Sequence, residues 1–390
     1  MKRVVALLIC LCGLGLWNDL AAQDLTITNA RIIAGNGLVV NQGSIVVRGG
    51  RIVSVGPGAP GSTAGQTIDA KGMSVMPGFI DAHRHINTGP TEAARMQEFL
   101  EAGYTTLMSG GGPAEGNLTL KQHIESGMIK GPRIITSGRV DATNFKTPEA
   151  ARAEVQRIAK LGIEIIKVSI NPKPSAESLQ ILAATTDEAK KVKLDVMVHA
   201  VSAEAMVAAV RAGATKLVHT PHFGWLTEAD AKVVKDAGVE MLSTIGFGVP
   251  VFGVFNQDNV PTFRDGSPWP DKIIDGEGRG REAGYKAVNA RTLWDGGVTY
   301  GFGTDTGYLP RLGLSHELRS LNLMFSPLDI IKLMGPNTAA FIEKSKDLGT
   351  LEAGKLADIV ILEGNPLEGY WHLLNAKVVI KGGQIMVDKR

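Results

Sequence analysis

The chain has 390 residues, 44% of them hydrophobic and 5% aromatic, with a formal net charge of +2. That balance gives no electrostatic footprint for nucleic acid or an anionic membrane surface, and no basic-aromatic patch supplies one. The length suits one large domain plus a small one better than two equal halves.

Met1-Lys2-Arg3, the apolar residues 4–17 and the small, polar residues 18–23 are laid out like a secretory signal peptide cleaved after Ala22. The apolar run is short for a bilayer span. The mature protein is therefore expected to be exported, periplasmic or secreted, without stable membrane insertion. Cys10 and Cys12 both lie in this leader, so the mature chain would have no disulfide, thiolate ligand or thiol nucleophile. A metal site would have to come from His, Asp, Glu or a modified Lys.

Next come short runs rich in β-branched residues at 25–28, 31–33, 44–48 and 51–55, punctuated by Asn36-Gly37 and Gly49-Gly50. Residues 358–362, 376–380 and 384–387 have the same character, with Gly382-Gly383 as a turn. Neither end supplies a convincing sheet alone. The two are expected to form one small β-sandwich domain from residues 23–76 and 347–390. Between them, over residues 77–346, strand-then-helix units repeat. The candidate strands are 79–81, 105–108, 133–136, 163–168, 195–199, 215–219, 239–243 and 298–303. Residues 150–161 and 203–212 carry apolar side chains near a 3.6-residue period, and Leu161-Gly162 and Ala212-Gly213 read as helix stops. Eight such units predict an α/β fold built on a (β/α)8 TIM barrel. A doubly wound open sheet competes, but no glycine-rich nucleotide fingerprint follows the first strand.

In Asp81-Ala82-His83-Arg84-His85 the two-residue period of a strand puts Asp81, His83 and His85 on one side. A barrel places its chemistry at the carboxyl ends of its strands. His83 and His85 end the first, His199 the fifth and His219 the sixth; Asp305 lies just past the eighth. Lys167 falls near the end of the fourth, inside Ile165-Ile166-Lys167-Val168. Burying an ammonium there is costly. Reaction with carbon dioxide would turn it into a carbamate able to bridge two metal ions; pairing with an acid, or snorkelling outward, accounts for the residue equally well. Any one of these histidines could be an ordinary hydrogen-bonded strand end. The set as a whole points to a first-row metal ion.

Residues 75–85, Val-Met-Pro-Gly-Phe-Ile-Asp-Ala-His-Arg-His, resemble the opening signature of the metal-dependent amidohydrolase superfamily. Gly103-Tyr104-Thr105-Thr106, Gly131-Pro132-Arg133-Ile134, Val198-His199-Ala200, Leu217-Val218-His219, Gly303-Thr304-Asp305 and Asn337-Thr338-Ala339-Ala340 resemble its imidazolonepropionase-like and prolidase-like branch, and residues 348–358 resemble its return to the small β domain. The resemblance implies two divalent metal ions, expected to be Zn²⁺. His83, His85 and Asp305 would hold one and His199 and His219 the other, bridged by a carbon dioxide-derived carbamate on Lys167. It also implies hydrolysis of an amide or peptide bond, in an N-acyl amino acid, dipeptide or similar amide, by metal-activated hydroxide. Asp305 would be the catalytic proton carrier. Lactone, cyclic amide or xenobiotic amide hydrolysis is the alternative. Small-molecule substrates are the expected partners, and a homo-oligomer stays open.

Where the family usually has His-Gly after the sixth strand, this chain has His219-Thr220-Pro221-His222. His222 is read either as a substrate contact or as a solvent-facing loop residue. The long stretch 247–269, with Phe252, Phe255 and Phe263, is expected to be a lid or an aromatic binding loop. Arg264, Arg279 and Arg281 are candidates for a substrate carboxylate. Ser109-Gly110-Gly111-Gly112-Pro113 is expected to bring backbone close to the site.

Overall fold

The computed structural model describes residues 24–246, 279–306 and 309–390. The expected leader, residues 1–22, and the rim candidates Phe252, Phe255 and Arg264 lie outside the described residues, as do the side chains of Arg279 and Arg281. Among the described residues no helix is long and apolar enough to cross a membrane.

The β-branched runs of the first part form β1 (Leu25–Ile33), β2 (Val39–Arg48), β3 (Arg51–Pro57), β4 (Gln66–Asp69) and β5 (Ser74–Pro77). The two runs at 25–28 and 31–33 merge into one strand. Asn29 takes a left-handed φ of 51°, and the register against β2 shifts there instead of the strand ending. Asn tolerates that conformation better than most residues, and a bulge absorbs the extra length.

The barrel strands are β6 (Phe79–Arg84), β7 (Tyr104–Ser109), β8 (Arg133–Ile135), β9 (Ser137–Arg139), β10 (Ile165–Ser169), β11 (Asp195–His199), β12 (Lys216–Val218), β13 (Glu240–Leu242) and β14 (Tyr300–Gly301). Neighbours pair in parallel, in chain order. The halves β8 and β9 occupy one strand position, interrupted at Thr136: β8 pairs with β7 and β9 with β10. Closure comes at β6, where Ala82 N donates to Phe302 O at 3.2 Å and Asp305 N to His83 O at 2.9 Å. These bonds make a closed barrel of the expected eight positions rather than an open sheet.

Helices return the chain between strands: α1 (Glu92–Glu101), α2 (Ala114–Glu125), α3 (Pro148–Lys160), α4 (Ala176–Lys191), α5 (Ala203–Arg211), α6 (Glu228–Asp236), α7 (Arg279–Asp295) and α8 (Pro310–Leu321). Thr147, Ser175, Ser202 and Thr227 cap four of them, each side-chain oxygen accepting a backbone N–H three residues on. Helix α3 starts two residues earlier than its apolar period suggests, because Pro148 suits the first helical position. It buries Ala151, Val155 and Ile158, one stripe facing the barrel.

The chain then returns through β15 (Ile359–Leu362), β16 (Ala376–Lys381) and β17 (Gln384–Asp388). Strand β15 pairs antiparallel with β5, from Ile359 opposite Pro77 to Leu362 opposite Ser74, and β5 lies parallel to β1. The two chain ends thus share one hydrogen-bonded sheet of eight strands. It is a single sheet folded over its own core: Ile45, Val47 and Ile52 pack in one cluster with Ile359, Ile361, Val378 and Ile380. Between β5 and β6 stands only Gly78, where a Cβ would lie 2.4 Å from the Thr105 side chain. The barrel's first strand therefore leaves the small sheet directly.

At the amino ends of the strands, Lys216 is buried with its Nζ 2.8 Å from Glu343, 3.0 Å from Glu240 and 3.5 Å from Asp195. One cation ties together the starts of β11, β12 and β13, whose far ends lead into the site. Lys216→Met would leave these carboxylates facing one another, so it is expected to lower unfolding free energy by about 2 kcal/mol. Urea denaturation of the variant checks this.

Candidate metal centre

Strand ends bring the six ligand-type residues together. His85 Nε2 lies 3.2 Å from Asp305 Oδ1, His83 Nε2 lies 3.7 Å from Asp305 Oδ2, and His219 Nδ1 lies 3.8 Å from the same oxygen. One donor atom each from His83, His85 and Asp305 fit within 4.8 Å of one another, the spacing of a metal-binding triad. Lys167 Nζ approaches His83 Nε2 to 3.3 Å. The His219 ring stacks edge-on between His199, at 4.3 Å between centroids, and His83, at 5.1 Å.

Asp81 does not join this cluster. Its Oδ1 accepts from the backbone N–H groups of His83 and Thr304, both at 3.1 Å, and its Oδ2 from the Thr304 hydroxyl at 2.6 Å. It is a fastener beneath the site rather than part of its wall. The buried Arg84 adds to the fastening, donating to Thr304 Oγ1 at 3.0 Å and Thr306 Oγ1 at 2.6 Å while its guanidinium lies over Phe99.

Ring orientation follows from hydrogen-bond chemistry. His85 Nδ1 is 2.8 Å from Gly111 O, which can only accept, so Nδ1 carries the proton and Nε2 presents its lone pair toward Asp305. His219 Nδ1 contacts Thr244 Oγ1 at 2.8 Å. The glycine run after β7 does bring backbone close. A Cβ on Gly110 would stand 2.8 Å from His83 Nε2, and one on Gly111 2.8 Å from Lys167 Cγ. His219, Thr244 and Asp305 all take positive φ, 75°, 38° and 44°, a strain that clusters at functional sites.

The donor set fits a divalent ion. Burial pushes His83 and His219 well below the usual imidazole range, and pushes His199 down to about 3, with Lys167 adding to the shift at each. Neutral imidazoles with free lone pairs are the form a metal takes. Burial also lowers Lys167 to about 7, against a partial counter-pull from Asp305. An amine that loses its proton this easily can react with carbon dioxide. His83 Nδ1 is buried without a hydrogen-bond partner among the described residues.

His222 does not simply face solvent. It is half-buried, its Nδ1 3.3 Å from Thr220 O and its ring tilted on Phe223 at 4.9 Å. Phe223 and Trp225 are exposed on the same loop, with Trp225 edge-on to Tyr285 at 4.4 Å. Sequence reasoning passed over these aromatics, and over Thr244, Thr304 and Arg139. The signal for Arg139 was positional: it ends a barrel strand, but the residue type is no metal ligand.

The family model for the amidohydrolase family matches residues 74–386. Imidazolonepropionase from Geobacillus kaustophilus is 24% identical over 396 residues, covering 90% of this chain and 91% of that one. A shorter stretch of 99 residues is 38% identical to N-acyl-D-aspartate deacylase from Alcaligenes xylosoxydans xylosoxydans, and spans 19% of that protein. Among solved structures, a putative prolidase from Bifidobacterium longum superposes with a TM-score of 0.80 at 27% identity, covering 95% of this chain and 97% of the other.

Thr304→Val removes both the donor to Asp81 and the acceptor for Arg84. It is expected to cost about 2 kcal/mol of stability and about tenfold in divalent-ion affinity, because Asp305 is the next residue. Denaturant melts and competition with a chelating dye measure the two effects.

Proposed function

This chain belongs to the amidohydrolase family, and on that premise we propose that it is a binuclear metal-dependent hydrolase of an amide or peptide bond. N-acyl amino acids and dipeptides are the substrate class. The observation that carries the reading is the meeting of four imidazoles, Lys167 and Asp305 from five distant stretches at one mouth of the barrel. The relatives' printed activities, imidazolonepropionase, N-acyl-D-aspartate deacylase and prolidase, agree with a carbon–nitrogen bond as the target.

In this reading His83, His85 and Asp305 would hold one ion and His199 and His219 the other, and Lys167, as a carbamate, would be a ligand shared by both. Two bound divalent ions, zinc foremost, would supply an acidified water and polarise the substrate carbonyl. The rest falls to the chain's own groups. The neutral Lys167 amine adds to carbon dioxide, forming an N–C bond and releasing one proton, which leaves an anion where an uncharged amine stood. Asp305, reaching His83 with one carboxylate oxygen and His85 with the other, takes the proton from the attacking water and returns it to the leaving nitrogen. His222, Phe223 and Trp225, on the loop after β12, would favour a partly apolar substrate. The leader-like residues 1–22 extend the proposal to an exported enzyme, which N-terminal sequencing of the secreted or periplasmic protein would test.

Asp305→Asn is expected to keep the fold and lose turnover by about 10³-fold or more. Near-normal hydrolysis across a panel of N-acyl amino acids, dipeptides, aryl amides, cyclic amides and lactones would remove the proton-carrying role. Lys167→Ala is expected to reduce bound metal from about two equivalents toward one, read by elemental analysis of the purified protein. Two equivalents in that variant would show that the lysine bridges nothing.

A further inference from the structure

Arg139 closes β9 directly beside Lys167, its registered neighbour on β10. A guanidinium is thus held against a cluster whose proposed occupants are themselves cations. The charge of Arg139 is felt at Lys167, His83 and His199, so it looks onto both halves of the centre.

The side chain is fixed from one edge only. Nη1 donates to Asp141 Oδ2 at 3.3 Å and to Ser169 Oγ at 3.0 Å. Asp141 is buried and held in turn by the backbone N–H of Thr143 at 3.1 Å, so it acts as a bracket. Nη2 and Nε make no hydrogen bond among the described residues. Nη2 lies along Gly111, where a Cβ would come within 3.0 Å of it. With 32% of its side chain exposed, Arg139 is neither a core residue nor a free surface arginine. A planar fork, pinned along one edge and open along the other beside a metal centre, matches the geometry of a carboxylate.

We propose that Arg139 receives the carboxylate of the substrate and makes the enzyme select amides whose leaving amine bears an α-carboxylate over neutral amides. This rests on the amide-hydrolase reading above and adds the residue that sets its substrate charge. The α-carboxylate is one carbon removed from the leaving nitrogen. Anchoring it at the end of the third strand therefore turns the scissile carbonyl toward the ligands on the first and fourth.

The test uses binding, so that it does not depend on turnover. Metal-loaded protein is titrated calorimetrically with N-methylphosphonate-glycine and with its carboxamide, two probes without a side chain that differ only in the charge facing Arg139. The carboxylate is expected to bind about 30-fold more tightly. Arg139→Gln is expected to bring that ratio close to one, and Arg139→Lys to keep part of it, with bound metal unchanged in both. Equal affinity of the wild-type protein for the two probes, or no affinity for either, overturns the assignment. So does a fall in metal content in Arg139→Gln, which would make the residue a support for Lys167. Discrimination in binding without hydrolysis of any amide would leave Arg139 standing and remove the amide-hydrolase reading instead.

Discussion

The seam where β6 meets the residues after β14 governs everything at the mouth of the barrel. Asp81, fully buried, spends its carboxylate on the backbone of His83 and on both donors of Thr304, while Asp305 N reaches back to His83 O. One carboxylate therefore locks the strand carrying two imidazoles against the turn carrying the facing acid. Burial raises the Asp81 carboxyl above its usual range, and its hydrogen bonds and the charge of nearby Arg84 offset only part of that cost. The expense is tolerable because the same bonds close the barrel. Without closure the ligands on the first strand and past the eighth would belong to opposite edges of an open sheet.

Electrostatics at the centre follow from that packing. Around Asp305 stand four imidazoles and the Lys167 amine, with Arg139 just beyond. Desolvation keeps His83, His199 and His219 neutral, so the cluster does not repel itself as a set of protonated rings would. The left-handed backbone at His219, Thr244 and Asp305 carries strain of the order of 1–3 kcal/mol each. It aims side chains that a plain strand would send to alternate faces.

The small sheet matters because it fixes the opposite end of the same strands. Arg133 at the start of β8 pairs with Asp358 before β15 at 2.8 Å, and Lys381 donates to Gly131 O at 2.5 Å. The C-terminal part of the small sheet is thereby attached near the amino ends of barrel strands, away from the chemistry. The Lys216 cluster supports the same end. The loops at the carboxyl ends carry the ligands instead, with the positive φ angles of His219, Thr244 and Asp305.

The sequence alone determined the strand–helix alternation, the sharing of one sheet by the two ends and the residue types of the centre. These are written locally, in apolar period, glycine punctuation and strand-end histidines. The pairing of 25–28 with 31–33 as one strand was not legible, because a bulge at Asn29 looks like a break in a linear pattern. Nor was the fate of Asp81, since a two-residue period says which side a group faces but not which partner lies there. The roles of Thr304, Thr244 and Arg139 were decided only by tertiary structure. Each acts through a residue distant in the chain or on a neighbouring strand, and a hydroxyl or guanidinium acquires meaning only from the donor or acceptor that closure sets opposite it.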